Sequence, residues 1–97
     1  MTYQPEPLDT SSVVLDDSLL DLTERLARHT HDVWAQERLR LGWSWGPRRD
    51  DTRREHPGLV PYEALPDAER EFDRRTAMET VKALIALGYR IAAPPRT

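Results

Sequence analysis

Seven side chains of the sequence are of the types that bind flat, charged molecules: aromatic rings, guanidinium groups and one carboxylate. They are Trp34, Arg38, Trp43, Trp45, Arg49, Asp50 and Tyr62. Tryptophan and tyrosine rings stack on planar bases, while guanidinium groups pair with phosphate or ribose oxygens. The set therefore predicts a cleft that holds a nucleotide-like small molecule. The same rings also suit a second interpretation, in which they pack a small core and fix a loop.

Patterns that would indicate catalysis or a metal site are weak. His29 and His31 are two positions apart, and on a helix such side chains do not face each other, which argues against a shared metal ion. The sequence has no cysteine, Ser44 lacks the setting of a nucleophile elbow, and neither glycine-rich phosphate motif occurs. We expect His31 to be structural and His56, which precedes Pro57, to order the loop as a hydrogen-bond donor. These features predict a non-enzymatic protein with no catalytic residue, no metal and no cofactor.

The charged residues are numerous but balanced. The net charge is −3, and Asp50, Asp51 and Glu55 interrupt the arginine-rich stretch, so we expect no nucleic-acid partner. No apolar run reaches the roughly 20 residues of a membrane span, and the N-terminal stretch lacks the features of a signal peptide. We therefore predict a cytoplasmic protein with no membrane partner. The carboxylates of residues 66–73 have Arg70, Arg74 and Arg75 as neighbours at helical spacing, as surface ion pairs do. Arg49 and Asp50 directly follow an aromatic turn and belong either to the site or to a loop salt bridge.

Two long helices must position these residues. Apolar residues recur at helical spacing from Leu19 to Leu41, after the capping and acidic residues Asp16–Ser18. Gly42 stands where a left-handed residue ends a helix. The second helix begins at Pro66, and Gly88 ends it. The predicted fold class is mainly α, with a small α+β character: an antiparallel pair of long helices joined by a long ordered loop, with short flanking β-strands.

The segments outside the helices complete the predicted organisation. The short strands are expected in SSVVL, residues 11–15, and in YRIAA, residues 89–93. The sequence then divides into an extended arm at 1–12, a single domain at 13–93 and a tail at 94–97.

The loop from Trp43 to Leu65 is the segment expected to carry the function. Loops of this length in compact domains are usually functional or disordered, and the aromatic content favours order. In an extended segment Trp43 and Trp45 point to the same side. We expect the core to lie between the two helices, with these side chains buried: Leu22, Leu26, Val33, Phe72, Val81 and Leu84.

Four longer motifs occur in order along the chain: HDVWAQER, GWSWGPRRD, HPGLVPY and DRRTAMET, the last followed by LGY. In this combination and spacing the sequence resembles a ryanodine receptor repeat domain, from about Tyr3 to Ile91. The resemblance implies a small helical unit with short strands and no catalysis. Such repeats occur in tandem pairs on the cytoplasmic shell of calcium-release channels, and singly in short prokaryotic and viral chains, the kind that this sequence resembles.

The resemblance also implies a role. It points to a ligand-sensing or interaction module, and for single-repeat chains to a nucleotide-like ligand at the aromatic and arginine loop. Trp45 stands where the family usually has tyrosine, so an indole N–H replaces a phenol. Because only one repeat is present, the surface that a second repeat would cover is free, and we expect a homodimer. The alternative is a protein-interaction or structural module with no small-molecule ligand.

Overall fold

The computed structural model describes residues 2–95. The elements follow in the order α1 (Asp17–Arg40), β1 (Ser44–Trp45), β2 (Glu55–His56), a short 3-10 helix (Tyr62–Ala64) and α2 (Asp67–Ala86). This confirms the prediction of a mainly α fold with a little β structure. The predicted arm at 1–12 and the predicted tail at 94–97 extend beyond the described residues, because residue 1 and residues 96–97 lie outside them. No helix within residues 2–95 is long and apolar enough to cross a bilayer.

The end of α1 turns the chain back over the last turn of the helix. Gly42 has a φ of +88°, a conformation that glycine adopts without steric cost. Its N–H donates to the carbonyl of Leu39 at 3.0 Å, and the N–H of Trp43 donates to the carbonyl of Arg38 at 3.0 Å. These two bonds form a Schellman motif, which satisfies the last free carbonyls of the helix. The motif places Trp43 beside the side chain of Arg38.

The second helix has the ends that its sequence predicts. It follows Pro66 directly, where the fixed φ of proline suits the entry to a helix. It ends at Ala86, and Gly88, two residues beyond, has a φ of +97°. The N–H of Tyr89 donates to the carbonyl of Leu84 at 3.0 Å. The same type of cap thus terminates both helices.

The β structure lies inside the loop. β1 and β2 pair in parallel, with Ser44 opposite Glu55 and Trp45 opposite His56. An antiparallel bridge between Asp50 and Glu55 closes the turn between the two strands. The pairing carries His56 back toward the end of α1.

The prediction of strands flanking the helices at 11–15 and 89–93 is wrong. Both segments are irregular, and Val13, Leu15 and Ile91 pack against the helices instead. Leu15 is buried, and Ile91 packs on the same cluster. The apolar pattern therefore reflects burial against α1 and α2 rather than pairing with a neighbouring strand.

Two clusters of buried side chains hold the helices together. One consists of Ala27, Tyr62, Leu65 and Ala77, and the other of Leu15, Leu19 and Val81. Small side chains at Ala27 and Ala77 allow the helices to approach closely. Beside them Arg74 donates to Glu24 across the two helices, with an N···O distance of 2.5 Å. The antiparallel direction of the pair stays a prediction.

The predicted core is wrong at several positions. Val81 is buried as expected, but Phe72 is 70% exposed, Val33 49% and Leu84 40%, and Leu22 and Leu26 are only partly buried. Nine residues separate Phe72 from Val81, and at about 100° per residue this places them on opposite sides of α2. Burial of the Ala77 and Val81 side therefore leaves Phe72 in solvent.

Candidate functional site

Rings and guanidinium groups alternate where α1 runs into the loop. The guanidinium carbon of Arg38 lies 5.6 Å from the centre of the Trp34 ring and 4.6 Å from that of Trp43. The guanidinium carbon of Arg49 lies 6.0 Å from the centre of the Trp43 ring. Trp34 and Arg38 are one helical turn apart on one face, and the glycine turn at Gly42 returns Trp43 to them. We call Trp34, Arg38, Trp43 and Arg49 the stacked ladder.

His56 joins the ladder from β2. Its ring meets that of Trp34 edge-on, with centres 4.9 Å apart, and lies 6.5 Å from the ring centre of Trp43. Its Nδ1 accepts a hydrogen bond from the N–H of Gly58 at 2.9 Å, so the neutral ring carries its proton on Nε2. His56 therefore orders the loop, but as an acceptor rather than the expected donor. Burial lowers the pKa of His56, and the positive charges of Arg38 and Arg49 lower it further.

A cleft of about 300 Å³ opens beside this arrangement, between α1, the loop and α2. Its lining residues are Thr30, His31, Trp34, His56, Gly58, Leu65, Glu69, Phe72 and Asp73. Trp34 is common to the cleft and the stacked ladder. The exposed Phe72 is one of these lining residues. This aromatic side chain is therefore not part of the core but lies beside the cavity.

His31 and Tyr62 fix the wall of the cleft to the core. The Nε2 of His31 donates to the carbonyl of Val60 at 2.7 Å, and its ring stacks on Trp34 with centres 5.6 Å apart. Tyr62 is buried in the helix interface rather than in the cleft. Within residues 2–95 the Tyr62 hydroxyl has no hydrogen-bond partner. Burial raises the pKa of Tyr62, and the charge of the nearby Glu24 carboxylate raises it further. Tyr62 and Glu24 therefore interact through charge rather than through a hydrogen bond.

Only some of the predicted site residues in the loop belong to the stacked ladder. Arg49 is in the ladder, but it pairs with Asp51, at 2.8 Å between Nε and Oδ1, rather than with Asp50. Asp50 instead accepts the N–H of Arg53 at 3.1 Å and holds the turn. Trp45 is 56% exposed. The structure thus brings Trp34, Arg38, Trp43 and Arg49 together, and places Trp45, Asp50 and Tyr62 elsewhere.

Sequence reasoning missed the α2 side of the cleft. Glu69, Phe72 and Asp73 lie at positions i, i+3 and i+4, so they share one helix face, but the carboxylates were interpreted as surface charges and the ring as core. Among residues 2–95 no three histidine, aspartate or glutamate side chains are grouped as metal ligands. The cleft has aromatic rings on one wall and carboxylates on its α2 side, and the guanidinium of Arg38 lies over Trp34, one of its lining residues.

A comparison with protein families gives one result that covers nearly the whole chain. The family model of the RyR domain matches residues 3–93. The match includes both helices, the loop with its two strands and the cleft described above.

Proposed function

The chain belongs to the RyR domain family, and on that premise we propose that it is a non-enzymatic module that binds a nucleotide-like small molecule. The planar ring of the ligand lies in the cleft against Trp34, and its phosphate meets the guanidinium groups of Arg38 and Arg49. One observation carries this proposal. The guanidinium of Arg38 lies over two tryptophan rings, at 5.6 and 4.6 Å from their centres, and one of these rings, that of Trp34, lines a cavity of about 300 Å³.

Stacking prepares Arg38 for a phosphate. A guanidinium group stacked on rings uses its faces, while its N–H donors point outward in its own plane. Arg38 has no ion pair among the described residues, in contrast to Arg40, which pairs with Glu37. Its donors are therefore available for the paired hydrogen bonds that arginine makes with phosphate oxygens. Two rings hold its long side chain in place, so little freedom is lost when the ligand binds.

The cleft has the size and the walls for a planar ring. Its volume of about 300 Å³ is at the lower end of the range for small-molecule pockets. Trp34 and His56 are already held by contacts within the fold, since His56 is fixed by Gly58 and Trp34 by the ring of His31. Each histidine of the cleft uses one ring nitrogen to hold the backbone, which favours a binding role over proton transfer.

A second candidate function is a protein-interaction module without a small ligand. Trp45 is 56% exposed, and Leu39 and Leu41 are 58% and 47% exposed. Exposed tryptophan is a common anchor of protein interfaces. The homodimer expected from the single repeat would use such a surface. Light scattering of the wild type and of Trp45→Ser tests this, because a dimer held by Trp45 becomes a monomer in the variant.

Thermal unfolding with a panel of nucleoside monophosphates and ADP-ribose tests the first proposal. A ligand at about 100 times its Kd stabilises the folded state by about 2.7 kcal/mol, which raises the melting temperature of a domain this small by roughly 10 °C or more. Arg38→Gln removes the stacked guanidinium, and Arg40→Gln, two residues on and 67% exposed, is the matched control. The proposal expects the shift to disappear in Arg38→Gln only. No shift with any of these compounds, or equal shifts in both variants, contradicts it.

A further inference from the structure

The α2 wall of the cleft carries two carboxylates without ion pairs. Among residues 2–95, Asp67 and Glu71 on the same helix pair with Arg70 and Arg74, and no such pair forms at Glu69 or Asp73. Glu69 and Asp73 both line the cleft, whereas Glu79, farther along the helix and also without an ion pair, accepts a hydrogen bond from Thr10. Their arrangement is therefore not that of a uniformly paired surface helix.

Asp73 is not explained by stability. Burial raises the pKa of Asp73, and the nearby charge of Glu69 raises it further, while His31 acts in the opposite direction. A raised pKa means that the folded state holds the proton more tightly than the unfolded chain does. Ionised Asp73 therefore destabilises the fold at neutral pH. Stability therefore does not account for a carboxylate at this position.

His31 supplies an independent acceptor in the same cleft. It is only 5% exposed, and its Nε2 donates to the carbonyl of Val60, so in the neutral ring Nδ1 has a free lone pair. No hydrogen bond to Nδ1 is formed within the described residues. His31 lines the cleft together with Asp73. Within residues 2–95 this Nδ1 is not one of the fully buried atoms that lack a partner, so it faces the open cleft, where a donor of the ligand can replace water.

We propose that this acidic side of the cleft, formed by His31, Glu69 and Asp73, reads the ring edge of the ligand and selects bases that carry an amino group. The inference rests on the proposed function, because it assumes that a base lies against Trp34. An amino group donates to a carboxylate, as cytosine does to aspartate and glutamate in nucleic-acid recognition. A keto oxygen at the same position has no hydrogen to donate, so its lone pairs are repelled by those of the carboxylate oxygens. Phosphate at the arginine side and amino group at the acidic side then orient the ligand in one direction.

Matched ligand pairs test the selection without any change to the protein. Cytidine and uridine monophosphate differ mainly in an amino against a keto group, and so do adenosine and inosine monophosphate. Calorimetric titration of the wild type is expected to show the amino member of at least one pair binding about 10-fold tighter or more. Equal affinities within both pairs overturn the inference but leave the proposed function intact. The absence of binding by all four compounds overturns the inference, and the proposed function falls with it if ADP-ribose also fails to bind.

A variant then assigns the selection to Asp73. Asp73→Asn offers an N–H donor in place of an acceptor, so the preference for the amino member should fall to about one or reverse. Asp67→Asn makes the same change of charge on the same helix outside the cleft, and it should keep the wild-type preference. Asp73→Asn should also melt no lower than the wild type, since it removes an unpaired carboxylate. A preference unchanged in Asp73→Asn, or a large loss of stability, overturns the role given to Asp73.

Discussion

Replacing Gly58 with alanine probes the packing of the cleft floor. A Cβ at this position would lie 3.0 Å from Nδ1 and 3.1 Å from Cε1 of His56, and 3.3 Å from Cη2 of Trp34. These atoms belong to rings with little room to move, since His56 also meets Trp34 edge-on and Trp34 stacks on His31. The added methyl group must therefore displace a ring or the loop backbone.

Two opposing effects set the size of the change. Overpacking of this kind costs about 1–3 kcal/mol, whereas the lower entropy of an unfolded chain with alanine stabilises the fold by about 0.4–1 kcal/mol. Steric crowding outweighs the entropy, and the expected loss is about 1–2 kcal/mol. For a domain of this size each kcal/mol lowers the melting temperature by about 4–8 °C.

Thermal and urea unfolding of Gly58→Ala measure this loss directly. His56→Ala removes two of the three close contacts, so the cost of Gly58→Ala should be smaller in that background than in the wild type. A melting temperature of Gly58→Ala equal to that of the wild type would refute the close approach of the two rings. So would a cost of the same size in both backgrounds.

Three further predictions concern the core, the histidine and the ion pair between the helices. Val81→Ala should cost about 2 kcal/mol because the side chain is buried, whereas Phe72→Ala should change stability by about 0.5 kcal/mol or less because it is 70% exposed; urea unfolding of both variants checks this contrast. The pKa of folded His56 lies below its ordinary value of 6.5, so the stability that it contributes is complete above that value and falls as the pH drops below it. The decrease in melting temperature from about pH 7.5 to about pH 5.5 should therefore be smaller in His56→Asn, whose side-chain oxygen can still accept the N–H of Gly58. Arg74→Gln should cost no more than about 1 kcal/mol, because the bridge to Glu24 is 39% and 42% exposed; a larger cost in chemical unfolding would show that the bridge is more strongly desolvated than its exposure indicates.

The parts of the fold that follow from local chemistry could be predicted from the sequence. Asp16 and Gly42 bound α1, and Pro66 and Gly88 bound α2, because capping depends on a few adjacent residues. The contact of Trp34 with Arg38 follows from helical spacing alone. Two of the four residues of the stacked ladder, Trp34 and Arg38, could therefore be placed together from the sequence.

The rest depends on contacts between distant segments. His56 reaches Trp34 only because β1 and β2 pair across the turn at Asp50, and no local pattern determines that register. Phe72 was assigned to the core because α2 has apolar residues on more than one face. The small residue Ala77 decides which face is buried. Tyr62 has the residue type of a binding site, but the 3-10 helix turns it into the helix interface.

The three tryptophans provide the most direct test of the central claim, since each indole N–H gives a separate signal in heteronuclear NMR. Titration with cytidine or adenosine monophosphate is predicted to shift the signals of Trp34 and Trp43, which stack on Arg38 at 5.6 and 4.6 Å. The signal of Trp45, which is 56% exposed and outside the ladder, should stay in place and serve as the internal control. No shift of Trp34 at saturating ligand, or a shift confined to Trp45, would contradict binding in the cleft.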